Sequence, residues 1–242
     1  MAEGGVPPPR PGGHMSVPEV DALVFDVLGT LVDEPAGLRA GIAGLDPSLG
    51  PEEVDGLRDL WQRHVACEER RILDGERPYE VGDVLDREAA GVVAEAAGVA
   101  GAHVTTLASA GRRVPPWPDS VAGLERLAGR YPLIGLSNAG RAAFLRINAH
   151  AGLRWHQALS AEEARTYKPD PEVYRLAVTA SGRPAERLLM VAAHAWDLRG
   201  AQKLGMRTAY VARPVGDPPT SADRFDLHAE GLEDLADRLG VD

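Results

Sequence analysis

The chain has 242 residues, 44% hydrophobic and 26% charged, which suffices for one large α/β domain or a core with a smaller insert. A formal net charge of −10 with no basic run excludes a nucleic-acid surface, and no apolar stretch is long enough to span a bilayer. The single cysteine, Cys67, excludes an intrachain disulfide and a multi-thiolate metal site, and with no hydrophobic leader the expected compartment is the cytoplasm.

Residues 1–18 are rich in Gly and Pro and are expected to form a disordered tail. Asp21 to Phe25 reads as a buried strand, closed by Asp26 and a glycine turn. From Pro35 to Arg113 the pattern is helical. Leu38, Ile42 and Leu45 mark one face, Val54, Leu57, Leu60, Trp61 and Val65 a second, and Val84, Leu85, Ala89, Val92, Val93 and Ala96 a third. Pro115-Pro116-Trp117-Pro118 then forms a stiff connector. Beyond it strands and helices alternate. Strands are expected at Leu133–Ser137, Ala158–Ser160, Leu188–Ala192, Thr208–Val211 and Asp226–Ala229, with helices at Val121–Ala128, Arg141–His150, Pro171–Ser181, Leu198–Leu204 and Leu232–Leu239. Such alternation implies a doubly wound parallel sheet with helices on both faces. The expected division is an α/β core of residues 19–34 and 114–242, interrupted by a helical cap of residues 35–113.

Four polar sites fall at strand ends, where open α/β sheets place their chemistry. They are Asp26 with Thr30, Ser137-Asn138, Lys168 in Tyr167-Lys168-Pro169-Asp170, and Asp197. Arginine supplies nearly all the basic charge, and the only lysines are Lys168 and Lys203. A carboxylate can attack an electrophile and form an ester. A nearby ammonium keeps it ionised. A hydroxyl, an amide and strand-end N–H groups can hold an anion. Taken alone, Asp26 and Thr30 also read as turn formers, Ser137-Asn138 as an ordinary loop, and Asp197 as the cap of a helix starting at Leu198.

Taken together, the motifs Phe25-Asp26-Val27-Leu28-Gly29-Thr30-Leu31, Leu136-Ser137-Asn138, Tyr167-Lys168-Pro169-Asp170 and Ala195-Trp196-Asp197-Leu198-Arg199-Gly200-Ala201 resemble those of the haloacid dehalogenase superfamily, over Asp21 to about Leu239. The resemblance implies a Rossmann-like core with an inserted cap. Phosphatases of that superfamily carry a second Asp two residues after the nucleophile and paired acids that hold Mg²⁺. Here Leu28 and Ala193 leave a thin donor set, so phosphoryl transfer is disfavoured. The chain is more similar to the L-2-haloacid dehalogenases, which resolve an aspartyl ester without metal. That resemblance implies Asp26 as nucleophile, Lys168 and Thr30 around it, and Asp197 orienting Lys168 or activating water. It implies a small carboxylate substrate held by Ser137 and Asn138, a pocket edged by Leu28, Tyr174, His194 and Trp196, no cofactor, and a homodimer as an arrangement open to it. The family's cap arginine, which follows a Leu-Trp pair and receives the halide, has no direct match. Leu60-Trp61 is followed by Gln62 and then Arg63, leaving Arg63 or Arg39 as replacements. A Mg²⁺ phosphatase and a non-catalytic small-anion binder are the other readings of the same residues.

Overall fold

Ala22–Phe25 forms strand β1, and all four of its residues are buried. A strand covered on both faces reads as a continuous apolar run rather than an alternation, which is why the segment is so plain in the sequence. The computed structural model describes residues 19–99 and 103–242. The tail expected at residues 1–18 lies outside the described residues.

Five further strands flank β1: β2 (Leu133–Ser137), β3 (Gln157–Ser160), β4 (Leu188–Ala192), β5 (Arg207–Val211) and β6 (Leu227–Ala229). The sheet order is β3-β2-β1-β4-β5-β6, and every pairing is parallel. The helices are α1 (Glu34–Ala43), α2 (Pro51–Leu73), α3 (Gly82–Ala96), α4 (Val104–Leu107), α5 (Ser120–Ala128), α6 (Arg141–Ala151), α7 (Pro171–Ser181), α8 (Ala195–Lys203) and α9 (Leu232–Arg238). Successive residues of β1 point to opposite faces. Leu23 and Phe25 pack with Leu124, Phe144, Ile147 and Leu232, from α5, α6 and α9. Ala22 and Val24 pack with Val173, Tyr174, Leu198 and Ala201, from α7 and α8. Each large side chain so buried contributes about 1.5–3 kcal/mol, so the two covered faces, more than local propensity, fix the layers. This is the doubly wound core anticipated from the sequence.

Element limits follow local chemistry. Helix α7 begins where the Asp170 carboxylate accepts from the Glu172 N–H, with Pro171 in the first turn, and ends at Gly182 with φ of 63°. Helix α8 starts at Ala195, three residues before the expected Leu198. Its first turn is capped from a distance, because the Asp217 carbonyl and carboxylate accept from the N–H groups of Ala195 and Trp196 at 2.8 and 3.0 Å. Asp197 therefore sits inside the helix and is not its cap.

Helices α1–α4 build an apolar cluster of their own around Leu38, Ile42, Trp61, Val93 and Leu107. The chain enters this region after β1 and returns beside the same point. The Asp33 N–H donates to the Pro115 carbonyl at 2.8 Å, and Val32 pairs with Pro116. Trp117 donates from its backbone N–H to Leu31 O and from Nε1 to Gly29 O, each at 3.0 Å. The Arg213 Nε donates to Thr30 O at 2.8 Å. The turn that follows β1 thus has its carbonyls held by the connector and by the far side of the sheet.

Helices α5 and α9 meet at Gly123. A Cβ there would lie 2.4 Å from the Cβ of Leu232, which is too near the backbone to swing away. Alanine normally gains about 1 kcal/mol over glycine inside a helix, whereas overpacking costs about 1–3 kcal/mol. Gly123→Ala is expected to destabilise the fold by about 1–2 kcal/mol, read as a lower midpoint in urea unfolding; a raised midpoint would show that α9 shifts freely.

Candidate active site

The segments that follow β1 and β4 converge on one ammonium. Lys168 Nζ donates to Asp26 Oδ1 at 3.0 Å and to Asp197 Oδ2 at 2.8 Å. All three side chains are almost wholly buried. The Thr30 hydroxyl donates to Asp26 Oδ2 at 2.6 Å and accepts from the Ala193 N–H at 2.9 Å. The glycine between them is needed for two reasons. Gly29 has φ of 76°, and a Cβ on it would lie 2.7 Å from His194 Nε2. His194 Nε2 itself lies 3.2 Å from the Leu28 carbonyl, which makes it the protonated nitrogen.

Burial alone would raise the Asp26 pKa. The Lys168 ammonium, His194 and the Thr30 hydroxyl outweigh it and hold the carboxyl below its ordinary range. Burial works to lower Lys168, but Asp197 and Asp26 win and raise it. Asp197 is raised, first by burial and then by the neighbouring Asp26, against the pull of Lys168. The arrangement keeps one ionised carboxylate, Asp26, poised at the end of β1.

A cavity of about 240 Å³ opens above it, between the sheet edge and helices α1–α3. From the core, Asp26, Leu28, Asn138, Lys168, His194 and Trp196 line it. Asn138 spans it: Oδ1 accepts from the Lys168 N–H at 2.9 Å, and Nδ2 points toward the Glu69 carboxylate, 3.4 Å from each oxygen. Trp196, held by Asp217, stands at the rim, 37% exposed.

Several expected contacts fall elsewhere. Tyr174 is fully buried in the α7–α8 interface, and its hydroxyl donates to Asp197 Oδ1 at 2.6 Å. It braces Asp197 and is not among the cavity-lining residues. The motif glycine explains why: a Cβ at Gly200 would sit 2.3 Å from the Tyr174 hydroxyl, so only glycine lets this bond form. The Ser137 side chain is buried and accepts from the Ala139 N–H at 3.1 Å, which shapes the turn after β2 without lining the cavity. Arg63 is exposed on the outer side of α2, because one residue past Gln62 is about 100° around the helix. Arg39 is exposed too, and pairs with Asp55 at 2.5 Å. Among the described residues, no arginine lines the cavity.

What the sequence reading passed over is acidic. Glu34 from α1, Glu69 from α2 and Asp86 from α3 line the cavity with Gln62. On α2 the lining positions are Trp61, Gln62, Val65, Ala66 and Glu69, one helical stripe. That spacing was the available signal, though polar residues on an amphipathic helix ordinarily mark its wet face. Among the described residues, no cluster of three or more His, Cys, Asp or Glu side chains is arranged to hold a metal ion.

Replacing Lys168 by Met removes the charge that outweighs burial at Asp26. The Asp26 pKa then rises, because burial is no longer opposed by that ammonium, and the acid limb of any pH–rate profile moves up with it. Ionised Asp26 is regained only at higher pH, so Lys168→Met is expected to lose about 100-fold or more at neutral pH and to recover part of it in alkali. Leaving two buried carboxyls without their cation also costs about 3–5 kcal/mol of stability. An unshifted pH profile would show that Lys168 does not set the charge of Asp26.

A family profile of haloacid dehalogenase-like hydrolases matches residues 20–205. The (S)-2-haloacid dehalogenase H-109 of Pseudomonas putida is 29% identical over 201 residues, covering 80% of this chain and 86% of that protein. The crystal structure of the L-2-haloacid dehalogenase PA0810 superposes with a TM-score of 0.83 at 34% identity, covering 91% of this chain and 99% of its own. The defluorinating L-2-haloacid dehalogenase Rha0230 does so with a TM-score of 0.83 at 30% identity, covering 92% and 96%. With the Asp26–Lys168–Asp197 centre in place on this fold, the chain belongs to the haloacid dehalogenase-like hydrolases, in their L-2-haloacid dehalogenase branch.

Proposed function

We propose that the protein hydrolyses a short 2-haloalkanoic acid through an ester on Asp26, without a metal ion. The observation that carries this reading is that the Asp26 carboxylate, held ionised by Lys168 and Thr30, faces the cavity from the end of β1, with Leu28 where a second acid would stand. The reading also takes the core of residues 19–34 and 114–242 as the catalytic unit and residues 35–113 as its roof, in keeping with their separate apolar clusters.

In the first step an Asp26 carboxylate oxygen attacks C2 of the substrate. The new C–O bond forms as the C–halogen bond breaks, and the bonding pair leaves with the halide. Displacement from behind inverts C2. In the second step water adds to the Asp26 carboxyl carbon and expels the 2-hydroxy acid, so Asp26 returns with one oxygen from water. Overall, haloacid anion and water give hydroxy-acid anion, halide and a proton. Lys168 keeps Asp26 ionised for the first step, and Thr30 fixes which oxygen attacks. Asp197, braced by Tyr174, holds Lys168 in place. Asn138 forms the core side of the pocket in which the substrate carboxylate sits.

Mg²⁺-dependent phosphoryl transfer asks for several oxygen ligands. The carboxylates of Asp26 and Asp197 are both engaged by the Lys168 ammonium, and Leu28, Ala192 and Ala193 add no side-chain oxygen. These residues do not fit that ion.

Halide release from L-2-chloropropionate in EDTA is the test, with Asp26→Asn as control. Release is expected, with loss of at least about 1,000-fold in the variant. A single turnover in ¹⁸O-water should place the label in the Asp26-containing peptide, and the product should be the inverted lactate. Label found only in lactate would sink the ester intermediate.

A further inference from the structure

The cavity lacks the guanidinium that the branch uses to receive the halide, yet it is lined by three carboxyls. Resting on the dehalogenase reading, we propose that Glu34, Glu69 and Asp86, with the Gln62 amide, receive the substrate anion and the departing halide as neutral hydrogen-bond donors, so that each haloacid anion enters together with a proton.

The argument is one of charge in a confined space. Substrate and leaving group are both anions, and Asp26 is already ionised. Three further carboxylates on the same wall would repel both. Among the described residues, no free Lys or Arg lines the cavity to balance them. The Lys168 ammonium is shared between Asp26 and Asp197, and the Arg112 guanidinium is engaged by Asp83 at 2.9 Å. A protonated carboxyl instead presents an O–H, and an amide presents two N–H groups. Both donate to an anion without carrying charge into the cavity.

The surroundings favour the neutral forms. Glu69 faces Glu34 and Asp86, with Asn138 and Lys168 across the cavity and Tyr79 and Tyr167 behind it; burial, chiefly, and the two acids push it up to about 8. Asp86 faces Glu34, Asp83 and Arg112, and burial, with the first two of these, pushes it up to about 7. Glu34 faces Gln62, His194 and Asp26, and burial again raises it against the pull of the first two. Glu69 and Asp86 therefore change state near neutral pH, and an arriving anion draws them to the protonated side. The sign follows: the donor form is present below about pH 7 to 8 and is lost above it. The effect falls on binding, and so on KM, while Asp26 and Lys168 stay in their working states.

Proton uptake on binding is the primary test, made on the unmodified protein with propionate, which has the carboxylate but no leaving group. In weakly buffered solution with an indicator dye at pH 7.5, about half to one proton should be taken up per anion bound. Zero uptake would overturn the proposal. Steady-state kinetics with L-2-chloropropionate should show kcat/KM falling about tenfold or more from pH 6 to pH 9, carried by KM. In the double variant Glu69→Gln, Asp86→Asn, which donates but does not ionise, the ratio between these pH values should shrink toward one. Gln62→Arg should lower KM at pH 9 by about tenfold or more. A flat KM profile in the unmodified protein would refute it, as would a preference at pH 9 for a 2-haloacid bearing a distal ammonium, since ionised acids would then be binding a cation. The two readings fail separately. Halide release with no proton uptake removes this inference and leaves the dehalogenase; proton uptake with no halide release does the reverse.

Discussion

The ammonium of Lys168, buried between two carboxylates, is the interaction on which the site depends. A cation in such a place is costly unless paired, and each carboxylate is costly without it. The geometry meets both demands at once, with contacts of 3.0 and 2.8 Å and the remaining lone pairs of the acids taken by Thr30 and Tyr174. The result is asymmetric. Asp26 faces the cavity and is held ionised, while Asp197 lies deeper and is raised.

The support reaches back through ordinary packing. Tyr174 stands on the apolar stripe of α7, Gly200 makes room for it on α8, and Asp217 fixes where α8 begins. Each of these is structural in isolation, and together they set the position of Asp197. On the other side the connector at Trp117 and the guanidinium of Arg213 hold the turn that carries Thr30. The chemistry is thus anchored by elements from both halves of the sheet.

Much of this was legible in the sequence, for a physical reason. The strands β2 and β4 and helix α7 have the limits read from the apolar runs and their Asp-Pro and Gly punctuation, because those signals are local. The misreadings are tertiary. The start of α8 was placed three residues late because its cap comes from Asp217, far along the chain. Arg63 was offered as a cavity residue, but a step of one position on a helix turns a side chain away from its neighbour's face. Glu69 and Asp86 sit on amphipathic helices, where acids normally meet water. Only the assembled fold turns those positions toward the nucleophile.

The crossing between sheet and roof has a further consequence. The chain leaves at Val32–Asp33 and returns at Pro115–Pro116, and the two crossings are hydrogen-bonded side by side. The sheet would need almost no linker to close over the gap if everything between were removed. The roof is therefore a module with one seam, and Gln62, Glu69 and Asp86 belong to it, while Asp26, Lys168 and Asp197 do not. In such an architecture, selection can rewrite which molecule is admitted without touching the bonds that make and break the ester. A roof whose arginines, among the described residues, all lie outside the cavity lining, above a centre holding one lysine and two aspartates, is the arrangement such separable change would leave.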